Sequence, residues 1–243
     1  MRYDNSAIVF CKFEEGLLAK TEFIYGLHAV KAMLSQHPEQ IQQAFFIKSK
    51  KQGLSSLVNQ AIDMGVAVNY LTRSALDKKV GEDSVHQGAV VQCNTLNTYG
   101  EKDIESLLKK VDQPLVLVLD QVKDPRNLGA CLRSANAMGV CCVIIPKDRS
   151  AGLTPIAQKV ACGATVSTPL VVVTNLSRTL KKLQDCGLWL VGLSANTDVV
   201  LRSVDLMGPL AIVMGSEGEG LRQLTEKQCD FLACIPMQGT VES

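Results

Sequence analysis

The sequence predicts an α/β protein, with a largely parallel sheet covered on both faces and a smaller α/β unit ahead of it. Three observations lead there. Residues 115–119, 140–145, 188–193, 210–214 and 231–235 are apolar runs rich in Val, Ile and Leu, the pattern of strands buried on both faces. Helical stretches separate most of them, as parallel neighbours require. Upstream, residues 22–93 alternate shorter helical and strand patterns.

Residues 1–21 carry no clear period and read as a loose leader. Residues 26–34 read as a helix that ends before Pro38, since proline cannot continue a helix. Residues 44–48 read as a strand. Leu54, Leu57, Val58, Ala61 and Ile62 keep helical spacing, and Gly65 closes that helix. Residues 66–71 form a second strand candidate, 74–80 a short helix and 88–93 a third strand. Residues 94–113 are polar and mixed in charge, with a short helical stretch at Ile104, Leu107 and Leu108. That shift in composition reads as a linker. Pro114 opens the second unit, 114–243.

Composition narrows the function. The chain is 47% hydrophobic and 20% charged, ordinary for a soluble globular protein. No apolar run approaches the roughly eighteen residues of a membrane span, and no basic-then-apolar start suggests a secretory signal. The net charge is only +1, so an argument for nucleic acid must rest on local clusters. These lie at Lys48, Lys50 and Lys51, at Lys78 and Lys79, and at Lys123, Arg126 and Arg133. The nine cysteines include no Cys-x-x-Cys pair and are odd in number. They read as small buried thiols in a reducing cytoplasm, and neither a disulfide framework nor a metal site is expected.

Three segments share one character: an apolar run delivering a polar loop. They are Asp120-Gln-Val-Lys-Asp-Pro-Arg-Asn127-Leu-Gly129-Ala-Cys-Leu-Arg133, Ile212-Val-Met-Gly-Ser-Glu-Gly-Glu-Gly220 and Ile235-Pro-Met-Gln-Gly-Thr-Val-Glu-Ser243. They read as one composite site at the C-terminal edge of the sheet. The loops contain no dinucleotide fingerprint, no Walker A pattern, no Gly-x-Ser-x-Gly elbow and no His-Glu-x-x-His. Taken singly, each residue has a plainer reading. Asn127 suits a helix N-cap, Glu217 a solvated loop acid, Gly215 a turn, Ile235 a strand end and Ser243 a chain end.

Taken together, the three segments resemble the SpoU, or TrmH, family of the SPOUT superfamily of RNA methyltransferases. Asn127, Gly129 and Arg133 match its first signature; Gly215, Glu217 and Gly220 match its second; Ile235 to Ser243 match its third. Ile24-Tyr-Gly-Leu-His-Ala-Val30 and His86-Gln-Gly-Ala-Val-Val91 are similar to the small ribosomal-protein-like (L30e-like) domain of members that methylate 23S ribosomal RNA.

The resemblance implies a SPOUT-type trefoil-knotted domain and a homodimer through it. It implies S-adenosylmethionine as methyl donor, no metal, and the 2′-hydroxyl of a guanosine in the peptidyl-tRNA-binding loop of 23S ribosomal RNA as acceptor. Transfer RNA methylation, or noncatalytic RNA binding in ribosome assembly, are the alternatives. Arg133, Asn127, Glu217 and Ser243 are the implied catalytic residues. A guanidinium is a poor base, so Arg133 is expected to clamp an RNA phosphate and stabilise the developing alkoxide. Asn127 is expected to orient Arg133 or the ribose, and Glu217 to hold Arg133 or the loop backbone. Gly215, Ile235, Met237 and Ser243 are implied at the donor, Met237 as packing rather than chemistry; a Cβ at Gly215 would intrude on the donor. Lys48, Lys50, Lys51, Lys123 and Arg126 are the expected RNA contacts. The chain stops at Ser243, within the third motif. The donor pocket is therefore expected to lack a wall and the knot its threading helix.

Overall fold

A computed structural model of the protein describes residues 21–49, 51–82, 84–94 and 99–237. Lys50, Ser243 and the leader segment 1–20 lie outside the described residues. The first unit runs β1 (Thr21–Tyr25), α1 (Leu27–Gln36), β2 (Ile41–Phe46), α2 (Gln52–Asp63), β3 (Val68–Tyr70), α3 (Arg73–Val80) and β4 (Ala89–Asn94). Its sheet has the order β1-β4-β2-β3. β4 is antiparallel to both β1 and β2, and β3 is parallel to β2. Val30, Met33 and Leu34 of α1 and Leu57 and Ala61 of α2 are buried against Ile24, Ala44, Phe46 and Val91 of the sheet. On the opposite face Leu76 of α3 packs on Phe45 and Val90. Periodicity missed β1. It is an edge strand that buries only Ile24, so it shows no apolar run.

The second unit runs α4 (Ile104–Leu108), β5 (Leu115–Leu119), α5 (Pro125–Ala137), β6 (Cys142–Pro146), α6 (Pro155–Ala161), α7 (Ala164–Ser167), β7 (Leu170–Val173), α8 (Leu176–Asp185), β8 (Trp189–Leu193), β9 (Leu210–Met214), α9 (Gln223–Glu226) and β10 (Phe231–Ala233). Its sheet has the order β10-β8-β9-β5-β6-β7. Every one of these pairings is parallel. Successive residues of β5 and β6 point to opposite cores. Val118 and Ile144 pack with α4 and α8, while Leu119 and Val143 pack with α5 and α6. The five apolar runs are strands; β7, only four residues long, carries too little pattern to be read from the sequence. From β5 the chain turns onto one face toward β6, and from β9 it turns toward the other. That divergence opens a crevice at the C-terminal ends of these adjacent strands.

Part of the stretch read as a linker is packed structure. Tyr99 bridges Val171, donating to Leu170 O at 3.0 Å and accepting from Val172 at 2.8 Å. Ile104, Leu107 and Leu108 are buried in the second core. Glu101 fastens this segment to the β7–α8 turn. Its Oε1 accepts from the backbone of Thr174 and Asn175 and from the Thr174 hydroxyl, and its Oε2 accepts from Arg178 Nη2 at 2.7 Å.

The two units meet along a tight seam. At Gly163, whose φ is +90°, a Cβ would fall 2.7 Å from Ala29 Cα of α1. His37 Nε2 lies 3.2 Å from Val166 O, and Val166 is buried in the core of the first unit. Gln158 donates to Glu22 at 3.2 Å.

Desolvation raises the Glu101 carboxyl, but its hydrogen bonds to Thr174, Arg178 and Asn175 outweigh that and hold it at about 2, against an ordinary value of 4.5. The folded value is depressed. The stabilisation is therefore present above the ordinary value and is lost as pH falls through the folded one. Glu101→Gln should be less stable than wild type at neutral pH in urea unfolding. The gap should narrow as pH falls from 4.5 toward 2; a gap independent of pH would show that the carboxylate charge does not fasten the segment.

Candidate active site

The crevice is a cleft of about 590 Å³ between the loop after β5 and the loop after β9. Asp124 caps α5, accepting from Arg126 N at 2.7 Å, and Pro125 takes the first helical position, which needs no N–H donor. Asn127 is therefore not the N-cap, and its side chain is released to the cleft. Its Nδ2 donates to Glu217 Oε2 at 3.1 Å, across ninety residues of sequence.

The glycine-rich loop is a tight hairpin. Ser216 and Gly220 exchange two backbone hydrogen bonds of 3.0 Å, with φ of +83° at Gly218 and +67° at Gly220. A Cβ on Gly215 would collide with the backbone of Gly220 and Leu221. This corrects the expectation for Gly215: the loop itself, before any donor, leaves no room for a side chain. Gly129 of the first motif also serves packing. A Cβ there would lie 2.7 Å from Val160 Cβ, so Gly129 sets the close approach of α5 to α6.

Beneath the loop lies Asp120, buried completely. Its Oδ2 accepts from Thr225 Oγ1 at 2.7 Å, Arg222 Nε at 3.1 Å and Arg222 N at 3.3 Å. Its Oδ1 stands 2.7 Å from Arg222 Nη2, an electrostatic contact not aligned as a hydrogen bond. Its own N–H donates to Met214 O at 2.7 Å. One residue thus ties the end of β5 to both ends of the loop after β9, by its backbone N–H to Met214 and by its carboxylate to Arg222 and Thr225. Sequence reading assigned Asp120, Arg222 and Thr225 no role; an acid directly after a five-residue apolar strand was the available signal.

Arg133 does not reach Glu217. It is exposed and makes no hydrogen bond or ion pair among the described residues. It follows Asn127 by six residues, about 240° around the helix, whereas Asn127, Ala130 and Cys131 line the cleft. Arg126, seven residues earlier, shares its exposed side. Glu217 pairs with Asn127 because the first turn of α5 is the part that abuts the loop. Lys123 lines the cleft 3.8 Å from Glu219. Ile235 and Met237 are 54% and 55% exposed and follow β10, which β8 separates from β9; neither lines the cleft. Lys48 and Lys51 lie in the first unit, in the turn between β2 and α2.

The cleft can house an elongated, partly apolar ligand. Met214 and Val122 line it beside the backbone of Gly215, and the Ser216 hydroxyl there is buried without a partner among the described residues. An orphaned hydroxyl in a cleft wall is suited to a ligand's polar group. Glu217, Glu219 and Asp124 outnumber Lys123 along the lining, which favours a cationic ligand. Burial pushes the Cys131 thiol up, so it faces the cleft protonated rather than as a nucleophile. Among the described residues no His, Cys, Asp and Glu cluster could hold a metal, and no helix is long and apolar enough to cross a membrane.

Comparison with known proteins identifies the family and the fold. Residues 114–243 match the SpoU rRNA Methylase family. Residues 23–99 match the family described as RNA 2′-O ribose methyltransferase substrate binding. The chain is 49% identical, over 93% of its length and 90% of the relative, to the 23S rRNA (guanosine-2′-O-)-methyltransferase RlmB of Coxiella burnetii. It is 47% identical to the protein of that name from Escherichia coli K12, over 92% of each chain. The SpoU methyltransferase AviRb of Streptomyces viridochromogenes, solved in complex with AdoMet, superposes with a TM-score of 0.72 over 92% of this chain and 83% of that one, at 17% identity. A crystal structure of an RNA 2′-O ribose methyltransferase gives the same TM-score at 23% identity, over 93% and 83%. Fold, cleft and matches define an RNA ribose methyltransferase. The chain belongs to the SpoU rRNA methylase family.

Asp120→Asn should keep an acceptor at the Oδ2 position, lose the charge and set an amide NH2 against Arg222 Nη2, on a side chain that is 43% exposed and partly solvated. The expected cost is about 1–3 kcal/mol, read by urea unfolding, with faster hydrogen exchange confined to 215–225. Unchanged exchange there would remove Asp120 as the anchor of the loop.

Proposed function

We propose that the protein transfers a methyl group from S-adenosylmethionine to the 2′-hydroxyl of a guanosine in 23S ribosomal RNA, in the loop that holds peptidyl-tRNA. The observation that carries this reading is the Asn127–Glu217 bond, which joins the first two family motifs across the cleft. The relatives named for this reaction, at 47% and 49% identity over nearly the whole chain, supply the acceptor.

The bound donor supplies a methyl group on a sulfonium, a leaving group that needs no metal. The protein's work is to position the reactants and manage the proton of a weakly acidic ribose hydroxyl. Gly215 and the Ser216 hydroxyl would hold the donor in the cleft, and Ile235 and Met237 would complete its pocket from the far side of β8. Asn127, held by Glu217, orients the ribose. Arg133, without a partner among the described residues, is available to an RNA phosphate beside the reacting oxygen. There it stabilises the developing alkoxide. Arg126 extends that cationic side of α5, and Lys123, Lys48, Lys50 and Lys51 contact the RNA backbone. Ser243, outside the described residues, would reach the ribose or the donor, as the family resemblance implies. In this reading the units are a small L30e-like RNA-binding domain over 22–93 and a methyltransferase domain over 114–243. The latter is trefoil-knotted and pairs two chains into a cytoplasmic homodimer.

Calorimetry with S-adenosylmethionine and tritium transfer to 23S or transfer RNA test the proposal. Donor binding with label in 23S ribose is expected; label only in transfer RNA would reassign the acceptor. Arg133→Ala should lower turnover about 10²–10³-fold with the fold intact, the scale for removing one group that stabilises transition-state charge. Retained turnover would take Arg133 out of the reaction. Replacing Lys48 and Lys51 by Ala should weaken RNA binding and flatten its salt dependence by about one log unit per lost contact; an unchanged slope would leave them as solvated surface.

A further inference from the structure

The two motifs of the first unit, Ile24-Tyr-Gly-Leu-His-Ala-Val30 and His86-Gln-Gly-Ala-Val-Val91, take no part in the active cleft. They meet at a second cavity, of about 300 Å³, in the seam between the units. Phe23, Tyr25, His28 and Gln87 line it from the first unit; Gln158 and Cys162 line it from the second.

Its chemistry is mixed in a particular way. Phe23 and Tyr25 are half-buried and offer aromatic surface. Gln87 Oε1 accepts from Leu27 N at 3.1 Å, which leaves its amide hydrogens to a ligand. Gln158 Nε2 donates to Glu22, which leaves its carbonyl oxygen. A donor on one wall and an acceptor on the other, beside aromatic rings, suit the edge and face of a nucleobase. The backbone is also strained here. Among the described residues four non-glycines have left-handed φ, and two of them, Gln87 at +53° and Cys162 at +52°, line this cavity. Such strain persists where the surroundings impose it, and it clusters at ligand sites.

The position fits a passing RNA strand. Tyr25 pairs with Val90, and Phe46 pairs with both Ala89 and Tyr70. The cavity therefore lies at the same end of the small sheet as Lys48, whose Nζ is 6.0 Å from the Tyr70 ring centre. On the other side, α6 carries Gln158 and packs through Gly129 against α5, which carries Asn127 and Arg133.

We propose that the seam cavity takes one unstacked base of the substrate RNA and sets the strand in register with the active cleft. This rests on the RNA-methyltransferase reading above. The test uses wild type, Tyr25→Leu and Cys162→Phe. The probes are 23S transcripts of the peptidyl-tRNA-binding loop carrying 4-thiouridine or 6-thioguanosine. Photo-crosslinked peptides are mapped by mass spectrometry, and KM and kcat are measured by tritium transfer. Crosslinks should fall in the peptides holding Tyr25 or Cys162. KM for RNA should rise about tenfold in each variant, the scale of one lost base-stacking contact, with kcat and donor affinity little changed. Crosslinks absent from both peptides would overturn the proposal, as would wild-type KM in both folded variants. Saturable binding of free nucleosides without a transcript crosslink would also overturn it, in favour of a small-molecule site. Cavity crosslinks on a protein that transfers no methyl would support the base pocket and sink the methyl-transfer reading instead.

Discussion

Asp120 is a carboxylate with no solvent contact, placed where the two halves of the parallel sheet diverge. A buried charge is tolerated only where partners replace its water. Here the partners are Arg222 and Thr225, and both follow the glycine-rich loop. The need to satisfy that charge draws the loop after β9 over the end of β5. Once there, the loop presents Glu217 to the first turn of α5, and the cleft exists. Without this anchor the Asn127–Glu217 bond would be an exposed contact between two unconstrained loops, worth little.

Close approach is the second constraint. Gly215 admits the loop's own backbone, Gly129 admits α6 against α5, and Gly163 admits α1 of the first unit. These three glycines set the spacing from the cleft through α5 and α6 to the first unit. A protein that must hold a ribose in line with a donor needs such fixed spacing, because misplacement by about an ångström is costly in rate. The packed segment from Tyr99 to Leu108 adds to that rigidity by docking onto β7.

The exposed cations make a complementary point. Arg133 and Arg126 have no carboxylate partner among the described residues and lie along one side of α5. With a net charge of +1, recognition of a polyanion rests on such local placement. An arginine already spent on an internal ion pair would be a weaker phosphate ligand.

Much of this was legible in the sequence. Long Val, Ile and Leu runs can be satisfied only between two layers, so 115–119 and 210–214 announced parallel central strands. Three motifs were legible as one composite site; those around Asn127 and Glu217 meet in a hydrogen bond, while Ile235 and Met237 of the third do not line that cleft. What tertiary structure decided was contact. The edge strand β1 and the four-residue β7 carry too little periodic signal to be read locally. That Glu217 bonds Asn127 and not Arg133 depends on which turn of α5 abuts the loop. The partner of Asp120 lies about a hundred residues away. Pattern along a chain reports which face of an element is buried; only packing reports what it is buried against.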